Sequence, residues 1–299
     1  MFLTGLRALT RCYPFQVARG SLSARLPDVP RGVGAFQAKR KIKYVAYATG
    51  QDFIVKNLFW FGEFEPWVIM VIGFLVRPNE VVCDIGANMG DTALQLFSYV
   101  GSSVYIYCFE PVPLLCKCLS ENLKANHVSS VIIVPYALSD WSGQSIMVIP
   151  KKEPGHSSLI DAARPNLCQE TIKVEVTTLD TWLRKSGIPQ VACCKIDVEG
   201  HELEVLRGMK DALNSRCIGS IVFERHKDCD ARDPVIELLC HHNYRVFRLY
   251  KGLLKVGVVE LGYKRKYLQK TDDYVAVIEG SVFEERLRPL IKSVSQGAN

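Results

Sequence analysis

The 299-residue sequence predicts an α/β protein: an open, mostly parallel sheet with helices on both faces. Two observations carry the prediction. From about residue 80, short apolar runs of strand character alternate with segments whose apolar residues recur at helical spacing. This is the pattern of parallel strands joined by crossover helices. The first apolar run also ends in a glycine turn that leads directly into a helix, as the opening unit of such a sheet requires. No internal repeat and no low-complexity tract competes with this reading.

Residues 80–85 (EVVCDI) form the first strand, and 91–99 the helix after the glycine turn. Residues 104–109 (VYIYCF) form the second strand. The helix 112–126 follows, with Leu114, Leu115, Cys118, Leu119 and Leu123 on one stripe. Residues 131–135 form a third strand. Residues 191–196 form a fourth, followed by a helix around 202–209, and 218–223 a fifth, followed by the helix 234–242. Segments 244–250 and 274–278 complete the set, and the parallel connections are right-handed. Ahead of these, the apolar run 67–76 has about half of the roughly 20 residues a membrane span needs, and reads as a buried core helix. Residues 144–178 break the rhythm with Lys151, Lys152, Pro154, Gly155, His156 and then the alternating run 171–177. They read as an inserted hairpin or flap over one end of the sheet, where binding loops gather.

The chain carries 37 Lys+Arg against 31 Asp+Glu, a net charge of +6, but the excess is local. Residues 1–43 hold nine basic residues (Arg7, Arg11, Arg19, Arg25, Arg31, Lys39, Arg40, Lys41, Lys43) and one acid (Asp28), a net +8. The remainder sums to −2. A near-neutral body argues against a dedicated duplex-DNA surface. Phe2, Leu3, Leu6 and Leu9 can share one helix face with Arg7 and Arg11 on another. The Arg-rich, acid-poor stretch 1–31 resembles a mitochondrial transit peptide, and a basic disordered tail on a cytoplasmic protein is the alternative. Pro27, Pro30, Gly32 and Gly34 mark a flexible boundary. The expected organisation is a basic segment 1–43, a folded body 44–280 and a C-terminal tail 281–299. At 48% hydrophobic the chain is too apolar to be disordered. Its eleven cysteines are odd in number and include no CxxC pair, and Cys83, Cys108, Cys193 and Cys194 sit inside strand-like runs. They read as packed free thiols of a reduced, intracellular protein, with a secreted disulfide framework as the alternative.

Two motifs carry chemistry. In the first, Asp84-Ile-Gly86-Ala-Asn88-Met-Gly90-Asp91, an apolar strand runs into an acid, a glycine turn and a helix. Glycine admits close backbone approach, and the helix N-terminus points amide donors into the same space. Twenty residues past Gly90, Glu110 ends the second strand, where an acid can accept both hydroxyls of a ribose. The spacing GxxxG departs from the dinucleotide GxGxxG. It suits S-adenosylmethionine, whose zwitterionic end can meet the Asp84 carboxylate and the loop amides. An ordinary strand–helix turn is the bland alternative. In the second motif, Lys195-Ile-Asp197-Val-Glu199-Gly200-His201-Glu202, Lys195, Asp197 and Glu199 share one face if the strand stays extended. Three ionisable groups at the end of a buried strand are costly unless paired or used. The alternative is an ion-pair network that only fixes the loop. Glu224 ends the fifth strand, with His226 two residues on; Asp197, Glu199, Glu224 and His226 are the candidates for a general base. The group His226, Asp228, Cys229, Asp230 matches no standard metal spacing, so no metal is expected.

The blocks DIGANMG, FEP, ALSD, TTLDTW, KIDVEGHELEVLRGM and IVFE resemble the FkbM family of class I S-adenosylmethionine-dependent methyltransferases. The resemblance covers residues 61–280 and is most specific at 195–208. It implies a seven-stranded, Rossmann-like sheet whose last strand, 274–278, inserts antiparallel, and methyl transfer, commonly to a hydroxyl oxygen. By position it implies that Asp84, Gly86, Asn88 and Gly90 line the methionine end and that Glu110 holds the ribose. It further implies that Ala137, Leu138, Ser139 and Asp140 face the adenine, and that Lys195, Asp197 and Glu199 lie near the methyl group and acceptor. Cys83, Cys108 and His201 are departures from the family pattern, none at a motif acid. The partner expected is a small or macromolecular hydroxyl acceptor, met with no duplex DNA and no transmembrane segment. Two other readings are a catalytically silent scaffold on the same fold and a nicotinamide-dependent oxidoreductase, which would share Glu110 but lacks the second fingerprint glycine.

Overall fold

The structure, a computed structural model, describes residues 2–11, 22–23, 25–29, 34–45, 53–149, 158–159, 170–225, 229–251, 256–262 and 269–291. In chain order its elements are α1 (Phe2–Arg11), β1 (Ala35–Gln37), β2 (Lys43–Val45), α2 (Phe53–Phe61), α3 (Pro66–Leu75), β3 (Val81–Ile85), α4 (Asp91–Val100), β4 (Tyr105–Phe109), α5 (Pro113–Ala125), β5 (Val131–Val134), β6 (Ala137–Leu138), β7 (Gly143–Ile149), β8 (Ser158–Leu159), β9 (Glu170–Thr177), α6 (Leu179–Ser186), β10 (Cys193–Ile196), α7 (Glu202–Arg207), α8 (Lys210–Asn214), β11 (Ser220–Glu224), α9 (Pro234–His241), β12 (Tyr244–Lys251), β13 (Val256–Glu260), β14 (Gln269–Ile278) and α10 (Val282–Leu287).

The main sheet has the order β13-β12-β14-β11-β10-β3-β4-β5. Strands β5, β4, β3, β10 and β11 pair in parallel, and β14 enters antiparallel between β11 and β12. This is the seven-stranded plan with its last strand inverted. An eighth strand, β13, extends the edge antiparallel to β12. The sequence does not announce it, because Gly257 at its centre reads as a strand breaker. In the fold the Tyr250 ring lies across that glycine, and a Cβ there would come within 2.4 Å of Tyr250 Oη.

Side-chain alternation divides the core in two. Val82, Ile106, Cys193, Val222 and Val275 face the cluster under α2–α5 and α10, while Cys83, Ile85, Cys194, Phe223 and Tyr274 face the one under α6–α9. Strands buried on both faces account for continuous apolar runs such as VYIYCF. The apolar run 67–76 is the buried helix expected. No single helix among the described residues is long and apolar enough to cross a membrane, and α2 and α3 are bent by 83° from each other.

Three boundaries shift from those expected. The folded body begins inside the segment assigned to the basic N-terminus: β1 and β2 pair as a hairpin that buries Phe36 and Tyr44. Two asparagines, Asn122 in α5 and Asn126 at its C-terminal end, pin that hairpin to the helix. Asn122 Oδ1 accepts the Val45 N–H at 2.6 Å, and Asn126 Oδ1 accepts the Lys43 N–H at 2.8 Å. Lys39, Arg40, Lys41 and Lys43 therefore belong to the body rather than to a detachable leader. At the other end, Val282–Leu287 of the segment assigned to a tail form α10, capped by Ser281 and anchored by buried Phe283 and Leu287. The insert is a small four-stranded sheet, β6-β9-β7-β8, rather than a lone hairpin. Lys151, Lys152, Pro154, Gly155 and His156 lie outside the described residues. So does His226. Helix α1 packs on α2, with Thr10 Oγ donating to the Trp60 carbonyl at 2.6 Å and Arg7 Nε to that of Phe59 at 3.1 Å.

Candidate functional site

Strand register brings the polar residues to one place. Pairing of β10 with β3 sets Lys195 beside Asp84, and pairing of β11 with β14 sets Glu224 beside Asp273. Each is two residues from an apolar neighbour on the α2–α5 face (Cys193, Val82, Val222, Val275), so all four share that face near the carboxyl edge. Glu65, in the turn between α2 and α3, and Asp91, at the start of α4, close over it from the helices. Burial and repulsion from Asp273, Asp197 and Glu224 raise the Glu65 pKa well above its usual value. Glu65 holds a left-handed backbone, φ 41° and ψ 50°, rare for a residue with a Cβ.

Lys195 is the cation of this cluster. Its Nζ lies 3.0 Å from Asp197 Oδ2 and 3.9 Å from Asp84 Oδ1. Burial alone would lower its pKa, but Asp197, Asp84, Asp91 and Glu65 outweigh that and raise it. The acids outnumber it. Burial first, and neighbouring carboxylates second, push Glu224 up to about 9. Burial, against the pull of Lys195, brings Asp91 to about 7 and Asp84 to about 6. Asp273 reaches about 6 by burial, moderated by the indole N–H of Trp67, which donates to its Oδ2 at 2.7 Å. Glu224 also hydrogen-bonds Asp197, so at neutral pH the pair holds one proton between two carboxylates.

Glu110 is buried at the end of β4. Its Oε2 accepts the Asn88 N–H and its Oε1 the Val112 N–H, both at 2.9 Å, which ties the glycine loop to the second strand. Burial raises its pKa to about 7 against the pull of those two bonds. One cavity is lined by Gly86, Asn88, Glu110, Leu138, Asp197 and Glu199 among others. A second is lined by Phe53, Phe64, Glu65, Lys195, Asp197 and Glu224 among others. The two share Gly86, Asn88, Asp197 and Glu199, so a ligand in one meets a ligand in the other at Asp197.

Not every expected residue lies where the sequence suggests. The extended run stops before Glu199, whose φ is 53°, yet Glu199 lines both cavities because the turn carries it there. Gly90 lines neither cavity: a Cβ would come within 2.1 Å of Leu119 Cδ1, so this glycine serves helix packing. Asp84 is fully buried behind Lys195, and neither of its carboxylate oxygens has a hydrogen-bond partner. Ser139 is buried with its hydroxyl on His201 Nε2 at 2.9 Å and on Asp140, so Tyr136, Ala137 and Leu138 are what that segment presents to the cavity. Asp140 is exposed. Sequence reasoning missed Glu65 and Asp273. Their only signal is a charged residue abutting an apolar segment (Glu65 before Pro66, Asp273 before Tyr274). It also missed Glu202, which is buried, accepts the Gly200 N–H at 2.9 Å and pairs with Arg225 at 3.1 Å, fixing the turn after β10.

This excess of buried acid predicts an unusual pH dependence of stability. Glu224, Glu110, Asp91, Asp84 and Asp273 all keep protons in the folded state at pH values where the unfolded chain has lost them. The folded state then binds more protons, so stability falls as pH rises. The lowered carboxyls of Asp233 and Glu284 finish titrating below this window and do not offset it. The melting temperature of the ligand-free protein should decline from pH 5 to 9, most steeply between 5 and 6, where these five carboxyls and the raised Glu65 contribute together against the lowered imidazole of His242. A flat or rising melting temperature across that window in scanning calorimetry contradicts the assigned proton load.

A family profile described as the methyltransferase FkbM domain matches residues 84–246. The hexuronic acid methyltransferase AglP of Haloferax volcanii is 30% identical over 169 residues, covering 56% of this chain and 65% of that protein. The 31-O-demethyl-FK506 methyltransferase FkbM of Streptomyces tacrolimicus is 29% identical over 201 residues, covering 58% and 76%. The 2-O-methyltransferase NoeI of Sinorhizobium fredii is 27% identical over 156 residues, covering 48% and 63%. The chain thus spans 65% of the length of AglP and 63% of NoeI.

Proposed function

The chain belongs to the methyltransferase FkbM family, and from that premise we propose that it is an S-adenosylmethionine-dependent O-methyltransferase acting on an uncharged hydroxyl acceptor. The observation that carries this is the junction of the two cavities at Asp197, with Glu110 on one side and Glu65 and Glu224 on the other.

The residues present fit the cofactor. Glu110 presents a buried carboxylate to the first cavity, where a ribose diol would donate to it. The fully buried Asp84 carboxylate lines neither cavity and would act on the ligand only through Lys195, which lies 3.9 Å from it. Leu138 would lie against the adenine. S-adenosylmethionine, when bound, supplies an electrophilic methyl group. This chain's own residues then hold the acceptor and move one proton. Lys195, pinned between Asp84 and Asp197, keeps Asp197 ionised and oriented. Glu224, protonated at neutral pH, donates to Asp197 and keeps the pair from carrying two charges. The acceptor hydroxyl donates to Asp197, which takes its proton as the oxygen gains the methyl group. Burial keeps Glu224 and Glu65 protonated and Lys195 pairs with Asp197, so the second cavity suits an uncharged acceptor, while Phe53 and Phe64, edge to face at 6.0 Å, offer an apolar wall. Much of the rate comes from positioning two ligands at one junction.

Glu110→Ala tests the cofactor side. It removes two charge-assisted acceptors, so affinity for S-adenosylhomocysteine should fall by about 100-fold. Calorimetric titration reads this. The melting temperature should also drop, because the Asn88 and Val112 amides lose their partner. Unchanged affinity sinks the ribose assignment, and absence of binding by the unaltered protein sinks the methyltransferase reading.

The reading extends to residues 1–31 as a mitochondrial address, supported by the amphipathic α1 with its Arg7 and Arg11. Fusion of these residues to a fluorescent protein should direct it to mitochondria, and a diffuse cytosolic signal excludes it.

A further inference from the structure

Of the four cations that the fold reassigns to the body, Lys39 and Arg40 line a groove that shares no lining residue with the site cavities, and Lys41 and Lys43 follow them on the adjoining turn and strand. Ile42, Ile69, Met70, Phe74 and Leu290 make its walls apolar. At its mouth Lys39–Lys41 form a 3₁₀ turn. Arg40 and Lys41 are both exposed and both left-handed, at φ 53° and 62°. Two consecutive side-chain-bearing residues in that region are strained. The turn is held in place by the Ile42 N–H on the Lys39 carbonyl at 3.1 Å and the Ala38 N–H on the Ile42 carbonyl at 2.7 Å. The Arg40 guanidinium lies 4.9 Å from the ring centre of the exposed Tyr99. Glu63 is the one acid lining the groove, and Lys39 neutralises it at 2.9 Å. Lys43 is exposed on the adjoining strand. The Gln37 carbonyl between them accepts from Arg7 and Arg11 of α1, whose Leu9 is 73% exposed, so the basic face continues onto an amphipathic helix.

We propose that this face docks on an anionic phospholipid membrane, with Arg40, Lys41 and Lys43 on the headgroups and an acyl chain in the groove. Charge complementarity favours an anionic partner, since Arg40 at the mouth and Lys41 and Lys43 close by in the chain are all exposed, while the acid lining the groove is taken up by Lys39. The apolar walls favour an amphiphile over a polynucleotide, whose groove would need a charged track along its length. Exposed Tyr99 beside cations is the composition of a membrane–water boundary. The face also reports to the site: Gly62, Glu63 and Pro66 line the groove, while Phe64 and Glu65 of the same turn line the acceptor-side cavity. The proposal rests on the folded body and not on residues 1–31.

The full chain should co-sediment with phosphatidylcholine vesicles containing phosphatidylglycerol and not with pure phosphatidylcholine, and binding should weaken with added salt. The exposed triple variant R40Q/K41Q/K43Q should lower partitioning on the order of 100-fold, while S-adenosylhomocysteine affinity and melting temperature stay unchanged. Met70→Glu, which puts a charge in the groove wall, should weaken binding further. Absence of vesicle binding, equal binding to neutral vesicles, or full binding by the triple variant overturns the proposal. So does displacement of vesicles by an equal concentration of single-stranded RNA, or self-association through this face without vesicle binding.

Discussion

Asp197→Asn should lower kcat by about 10²- to 10⁴-fold, the range for losing a positioned general base. The amide keeps the size and can still be held by neighbouring groups, but it cannot take the acceptor's proton. Lys195 would retain Asp84 at 3.9 Å, so the cation stays paired and the fold should survive. Cofactor affinity should change only a few-fold, because Glu110 and the glycine loop hold that ligand from the other side. The assay transfers radiolabelled methyl to extract from cells lacking the protein, where the unmethylated acceptor accumulates. Glu224→Gln is the informative partner. Glu224 is already protonated at neutral pH, with its pKa near 9, and Gln supplies the same donor to Asp197. It should therefore retain most activity. If Glu224→Gln is the dead variant and Asp197→Asn the live one, the base is Glu224 and the proton sits on the other carboxyl.

Gly86→Ala should abolish detectable cofactor binding and destabilise the protein by roughly 3 kcal/mol, combining a left-handed backbone with a steric overlap. Gly86 has φ +83°, and a Cβ there would lie 1.9 Å from the Asp197 carbonyl oxygen. That atom is backbone, so no side chain can rotate away. Relief requires the loop after β3 to separate from the loop after β10, and those loops form the wall shared by both cavities. The Gly86 and Ala87 N–H groups, each 3.0 Å from the Phe109 carbonyl, would be pulled from β4 as well. Gly187→Ala is the control, since Gly187 is also left-handed, at φ 67° and ψ 23°, but has nothing within 4 Å of its would-be Cβ. It should cost about 1 kcal/mol and leave binding intact. Equal effects at the two positions, read by thermal melts and calorimetry, would exclude the close approach at Gly86 as the cause.

The strands, the glycine turn and the order of motifs are legible in the sequence because each depends on local chemistry. VYIYCF reads as a strand from its β-branched and aromatic composition, and Asp84-Ile-Gly86 as a strand ending in a turn. Glu110, Asp197 and Glu224 are each legible as acids at strand ends, hence at one edge of a parallel sheet. Boundaries at the termini were not legible. Phe36 and Tyr44 sit among basic residues, and only Asn122 and Asn126, some 80 positions away, make a strand pair of them. The C-terminal helix is likewise short and becomes a helix by burying Phe283 and Leu287.

By itself the sequence determined the fold class and the family, and it pointed to some of the residues that line the cavities, Gly86, Asn88, Glu110, Asp197 and Glu224 among them, since those follow from side-chain type and spacing along the chain. Only the tertiary structure decided how they act. It set Lys195 between Asp84 and Asp197, brought Glu65 and Asp273 from elsewhere in the chain to crowd Glu224, and turned Gly90 and Ser139 away from the cavities. The reason is physical: a pKa and a contact depend on distance and burial across strand pairings, and register between distant strands is written in no single segment.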